Sequence, residues 1–122
     1  MRRIVRGAAA LALATAAATA IGTGSAHASD QPQYGCPSGA VCIYGQNADY
    51  RNGHPTDVFY SYGAHNLSGQ FGDHFVLNNQ TGGASAHLCL GYNGVDCRYP
   101  LPQDQRINYD MDEINSIVLD RP

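Results

Sequence analysis

The chain is short, at 122 residues, with ten acidic side chains, seven basic ones and four cysteines. Three of the arginines (Arg2, Arg3, Arg6) precede an apolar run, so beyond residue 28 only Arg51, Arg98, Arg106 and Arg121 stand against ten carboxylates. That acidic balance argues against nucleic acid or an anionic membrane surface as partners, and the length allows one small domain whose core alone gives marginal stability.

In chain order, the three arginines form a basic n-region, residues 8–21 an apolar h-region, and Ala26-His27-Ala28 a small-x-small cleavage site. Residues 1–28 therefore read as a signal peptide removed on export, and the protein as secreted and extracellular. The apolar run is rich in Ala and Thr, short for a bilayer and followed by no second span, so no stable membrane association is expected. Residues 29–35 are polar, contain Pro32 and show no periodicity, which predicts a flexible arm ahead of a single domain over 36–122.

Cys36-Pro37-Ser38-Gly39-Ala40-Val41-Cys42 turns at Pro-Ser-Gly and enters a strand carrying Val41, Ile43 and Tyr44. Residues 46–56 have loop chemistry, with Tyr50 as the one anchor. A strand follows over 57–62, then a loop over 63–72 whose Leu67 and Phe71 are expected to fold back on the core. Residues 73–78 close the first half as a strand, and 79–85 link to the second. There, strands are predicted at 86–90 and from Cys97 to Tyr99, with Pro100 and Pro102 forbidding a central position. Residues 103–113 read as mostly polar with one helical or 3₁₀ turn, and 115–120 as the last strand.

Short strands punctuated by Gly, Asn, Asp and Pro, with no sustained helical period, predict an all-β sandwich or barrel. Val41-Cys42-Ile43-Tyr44-Gly45-Gln46-Asn47 recurs in altered order as Leu88-Cys89-Leu90-Gly91-Tyr92-Asn93, so one duplicated unit, arranged as two Greek-key sheets face to face, explains both halves. In the second copy Asn93-Gly94 tolerates the positive φ angles of a tight hairpin turn, flanked by Cys89 and Cys97. In an oxidising compartment the four cysteines form two disulfides. Sequence permits three pairings: Cys36–Cys42 with Cys89–Cys97 needs only turns and is preferred, whereas Cys42–Cys89 would join the matching positions of the repeat. Neither CxxC nor His-x-x-x-His spacing supports a zinc site.

The Cys-Pro-Ser-Gly-x-x-Cys opening, the mid-chain Val76-Leu77-Asn78-Asn79, the second Leu-Cys-Leu…Tyr-Asn-Gly…Cys and the closing Asn115-Ser116-Ile117-Val118 together resemble the small secreted proteins grouped with the Streptomyces metalloproteinase inhibitor, peptidase inhibitor family thirty-six. The resemblance covers nearly all of residues 36–120. It implies a βγ-crystallin-like fold, two short-range disulfides and, from its inhibitory member, blockade of thermolysin-type metalloproteases. That member presents its protease-facing bond in the second disulfide loop, at a Cys followed by a branched apolar residue, and its loop is tighter than Cys89 to Cys97. The implied inhibitory loop here is Cys89, Leu90, Gly91, Tyr92, Asn93 and Gly94, with Leu90 entering the apolar pocket of an extracellular metalloprotease. Crystallin-type repeats also bind calcium through paired Asn/Asp residues followed by Ser/Thr-Ser. Met111-Asp112-Glu113-Ile114-Asn115-Ser116 has lost the leading acid and Gly72-Asp73-His74-Phe75 the serines, which leaves Asp112 and Glu113 as weak metal candidates.

No nucleophile elbow or HExxH occurs, and His54, His65, His74 and His87 are scattered, so the chain is not expected to be an enzyme or to need a cofactor. Leu90 has a competing reading as a core strand residue like Ile43. The function expected is therefore a monomeric secreted peptidase inhibitor. The alternative is a non-inhibitory βγ-crystallin-like module that binds an envelope component or calcium weakly.

Overall fold

The computed structural model describes residues 31–122; the expected signal peptide over 1–28 and the start of the arm lie outside the described residues. Eight strands follow one another: β1 (Ala40–Tyr44), β2 (Pro55–Phe59), β3 (Gly63–Asn66), β4 (Asp73–Asn79), β5 (Ala86–Cys89), β6 (Cys97–Leu101), β7 (Arg106–Asp110) and β8 (Ser116–Leu119). They form two four-stranded antiparallel sheets, ordered β2-β1-β4-β7 and β3-β8-β5-β6. Each half of the chain thus builds three strands of its own sheet and sends its third strand, β3 or β7, to the edge of the other. Neither half can complete a sheet alone.

Alternation along the strands puts Val41, Ile43, Val76, Leu88, Ile117 and Leu119 into one core between the sheets, closed at its ends by Leu67, Met111 and Ile114. β1 is buried on both faces. Its outward side chains, Ala40, Cys42 and Tyr44, form a second cluster with Cys36 and Leu77, against which Tyr50 and Phe75 pack. The cover over this outer face comes partly from residues 31–35, which the sequence suggested were flexible. Gln33 and Cys36 exchange backbone hydrogen bonds of 2.9 and 2.7 Å, Asn79 Nδ2 donates to the Gln31 carbonyl at 2.9 Å, and the Tyr44 hydroxyl donates to the Tyr34 carbonyl at 2.8 Å. Burial pushes that Tyr44 phenol up to about 12.

The all-β class and both local disulfides, Cys36–Cys42 and Cys89–Cys97, are as the sequence indicated. The two crossing strands are not. Gly63-Ala64-His65-Asn66 reads as loop because it carries no apolar run, yet it forms β3, mostly exposed on an edge. β7 replaces the expected helical turn: Ile107 and Tyr109 alternate inward with Arg106, Asn108 and Asp110 outward, a period-two signal masked by the polar residues around it. Pro100 sits inside β6, which is tolerable because β6 is an edge strand with a register shift beside it. Phe71 does not fold back on the core as Leu67 does; it is 62 % exposed.

Candidate functional site: the hairpin closed by Cys89 and Cys97

β5 and β6 place Cys89 and Cys97 directly opposite each other, so the disulfide closes a loop that the ladder continues into. The Leu90 amide donates to the Asp96 carbonyl at 3.0 Å and the Gly91 amide to the Val95 carbonyl at 2.9 Å. At the tip, Tyr92-Asn93-Gly94-Val95 makes the tight turn that the Asn-Gly pair predicts: φ is +61° at Asn93 and +75° at Gly94, and the Val95 amide donates to the Tyr92 carbonyl at 3.3 Å. Glycine is required at 94 for a second reason. A Cβ there would stand 3.0 Å from Val118 Cγ2 and 3.3 Å from the Ala64 Cβ, because the turn lies against β3 and β8.

Those two strands fasten the loop through its backbone. Asn66 brackets Asn93, accepting from its amide at 2.7 Å and donating to its Oδ1 at 3.0 Å. Ser116 Oγ donates to the Gly91 carbonyl at 2.6 Å while accepting from the Gly94 amide at 3.0 Å. Asn115 Nδ2 donates to the Leu90 carbonyl at 2.7 Å. Satisfied backbone groups hold one conformation, which removes most of the ordering a free loop would undergo on binding.

The side chains divide accordingly. Tyr92 and Val95 project, 54 % and 60 % exposed, and Asn93 and Asp96 are also on the surface. Cys89 is fully buried and Leu90 is half-buried against the core. Leu90 also lines a hollow of about 290 Å³ with Tyr109, Ile114, Asp110, Asp112 and Glu113. The Tyr109 phenol in this hollow is raised to about 12, chiefly by its hydrogen bond to Tyr99. Sequence reasoning found the loop but missed its straps. Asn115 and Ser116 show in the sequence as the start of the last strand, in the closing Asn-Ser-Ile-Val and as fragments of a calcium motif, none of which points to the loop, and Asn66 carries no signal.

Several of the remaining candidates make hydrogen bonds to the scaffold. Asp112 Oδ1 accepts from the Gly72 amide at 2.7 Å, and Asp110 Oδ1 from the Asp112 amide at 3.0 Å. Among the described residues no three His, Cys, Asp or Glu side chains come together as a metal-holding group. His74 is buried, its Nδ1 2.6 Å from the Tyr44 carbonyl and its Nε2 2.9 Å from that of Phe71. Ser85 and His87 both bond to Asp120 Oδ2, at 3.2 and 2.5 Å. The carboxylate thus stands between them, where a catalytic pair would need the hydroxyl on the imidazole. Among the described residues no helix is long and apolar enough to cross a membrane. Comparisons with protein-family models, with curated proteins and with solved structures find no match to this chain.

Proposed function

We propose that the protein is exported, folds as a βγ-crystallin-like pair of Greek keys and acts as a peptidase inhibitor, with extracellular metallopeptidases as its targets. The observation that carries this reading is the hairpin loop itself: closed by a disulfide, held through its backbone by Asn66, Asn115 and Ser116, and turning Tyr92 and Val95 outward. A rigid projecting loop enters a cleft with little further loss of freedom, and resists cleavage because its backbone cannot relax after attack. Leu90, next to the first cysteine, contributes its exposed edge at the rim while its body remains on the core. The exchange of third strands between the sheets supports the Greek-key reading, and two disulfides behind an N-terminal signal-like segment support export.

Titrating the purified protein against a thermolysin-like and a serine peptidase tests the proposal. Stoichiometric loss of the metallopeptidase activity is expected. Activity untouched at micromolar excess removes the inhibitor reading and leaves a βγ-crystallin-like binding module as the function.

A further inference from the structure

The outer face of the β2-β1-β4-β7 sheet carries a feature that shares no residue with the hairpin. Between the loop after β1 and the surface of β4 and β7 lies an open cleft of about 430 Å³, lined by Asn47, Asp49, Tyr50, Arg51, Phe75 and Asn108. Phe75 and Asn108 are direct cross-strand partners, so ring and amide lie side by side on the sheet. Tyr50 meets Phe75 edge-on, centroids 4.7 Å apart, and is braced by the Arg106 guanidinium 4.3 Å over its ring and by the edge of Tyr34 at 4.8 Å. The aromatic pair is therefore a fixed surface rather than a mobile flap.

The polar rim pairs a carboxylate with a guanidinium on the exposed surface. Arg51 Nε and Nη2 grip the Asp49 carboxylate at 2.9 to 3.2 Å. The Arg51 contacts hold the Asp49 carboxyl below its ordinary range, and the same carboxylate holds Arg51 above its own. The exposed side-chain amides of Asn47 and Asn108 make no hydrogen bond within the described protein, so each offers two donors and an acceptor outward.

We propose that this cleft binds a neutral saccharide. A sugar ring presents a face of polarised C–H bonds, which suits the electron-rich face of an aromatic ring, and a rim of hydroxyls that both donate and accept, which two amides and a carboxylate–guanidinium pair can answer. An apolar ligand would strip water from those amides without replacing its hydrogen bonds. A phosphate or carboxylate would find Arg51 already neutralised by Asp49. This inference goes beyond the inhibitor reading and does not depend on it.

The test is titration of isotope-labelled protein with glucose-, mannose- and N-acetylhexosamine-based oligosaccharides, and with a uronic-acid oligomer as the charged control, followed by NMR. At least one neutral oligosaccharide is expected to shift the side-chain amide signals of Asn47 and Asn108 and the backbone signals of 47–51. Asn47→Ala with Asn108→Ala, both on the surface, is expected to keep the wild-type melting temperature and to weaken binding roughly tenfold or more, as the loss of two uncharged hydrogen bonds implies. Unmoved signals at millimolar sugar, a response to the uronate alone, or undiminished affinity in the double variant would each overturn the proposal. Peptidase inhibition unchanged in that variant keeps the outcome separate from the fate of the hairpin reading.

Discussion

Cys42 and Cys89 hold equivalent places in the two halves of the chain, yet their partners lie in opposite directions. Cys42 reaches back to Cys36, and that bridge is wholly buried beside Tyr44 and Leu77. Cys89 reaches forward to Cys97, which faces solvent on an edge strand. A second correspondence runs alongside. His74 at the start of β4 bonds to the carbonyl two residues after Cys42, and Ser116 at the start of β8 donates to the carbonyl two residues after Cys89. The first half covers this arrangement with Tyr34, Tyr50 and residues 31–35; the second leaves it bare and strapped. The first bridge adds to a buried cluster, and the second closes an exposed hairpin.

Breaking the bridges should measure that division. The loops are of similar size, with cysteines six and eight residues apart, so chain entropy alone assigns each about 2–3 kcal/mol. Replacing Cys36 and Cys42 by Ala should cost more than this, toward about 5 kcal/mol, because the buried sulfurs also leave a void. Replacing Cys89 and Cys97 should cost less than that, because only Cys89 of this pair is buried and Cys97 faces solvent, while abolishing inhibition. Urea unfolding of both variants checks the order, and equal losses would erase the distinction.

Tyr44 sharpens it further. With its folded-state pKa near 12 against an ordinary 10, the phenol of the unfolded chain ionises first, so its contribution is intact below pH 10 and is lost as pH rises through 12. Wild-type urea midpoints should fall across that window by about 1–2 kcal/mol in stability. Tyr44→Phe, which also loses the bond to Tyr34, should start about 1 kcal/mol lower and show a flatter alkaline limb. A limb unchanged in Tyr44→Phe would mean that burial there does not set the shift.

Ser116→Ala should cost about 1 kcal/mol and weaken inhibition by freeing the Gly91 carbonyl and the Gly94 amide. His74→Ala, which removes a buried ring bonded to the Tyr44 and Phe71 carbonyls, should unfold the domain more readily without touching the loop. Smallest of all, Phe71→Ser should leave stability within about 0.5 kcal/mol of wild type, because the ring is already in solvent. A larger loss in a thermal melt would place Phe71 in the core after all.

The sequence carried what rests on residue chemistry. Asn93-Gly94 demanded a tight turn, the cysteine spacings closed locally, and runs such as Val76-Leu77 announced buried strands. It failed where geometry depends on partners distant in the chain. β3 is a strand because β8 offers it an edge, not because Gly63-Ala64-His65-Asn66 prefers one. The same distance hid the Asn66 strap, whose value comes from meeting Asn93 across 27 residues. Residues 31–35 lacked any periodic signal because they are ordered by hydrogen bonds to Asn79 and Tyr44, not by an apolar face. Leu90 carries two readings in the sequence, a core strand residue and a pocket-entering one, and in the structure it is half-buried against the core.

The most direct measurement is the inhibition constant of a Tyr92→Ala, Val95→Ala double variant, taken with its melting temperature. Both side chains stand in solvent, so the melt should match wild type within about 0.5 kcal/mol, while loss of the two projecting contacts should weaken inhibition of the thermolysin-like enzyme about a hundredfold. Undiminished inhibition, or a loss that tracks a fallen melting temperature, would contradict the assignment of the Cys89–Cys97 hairpin as the working surface.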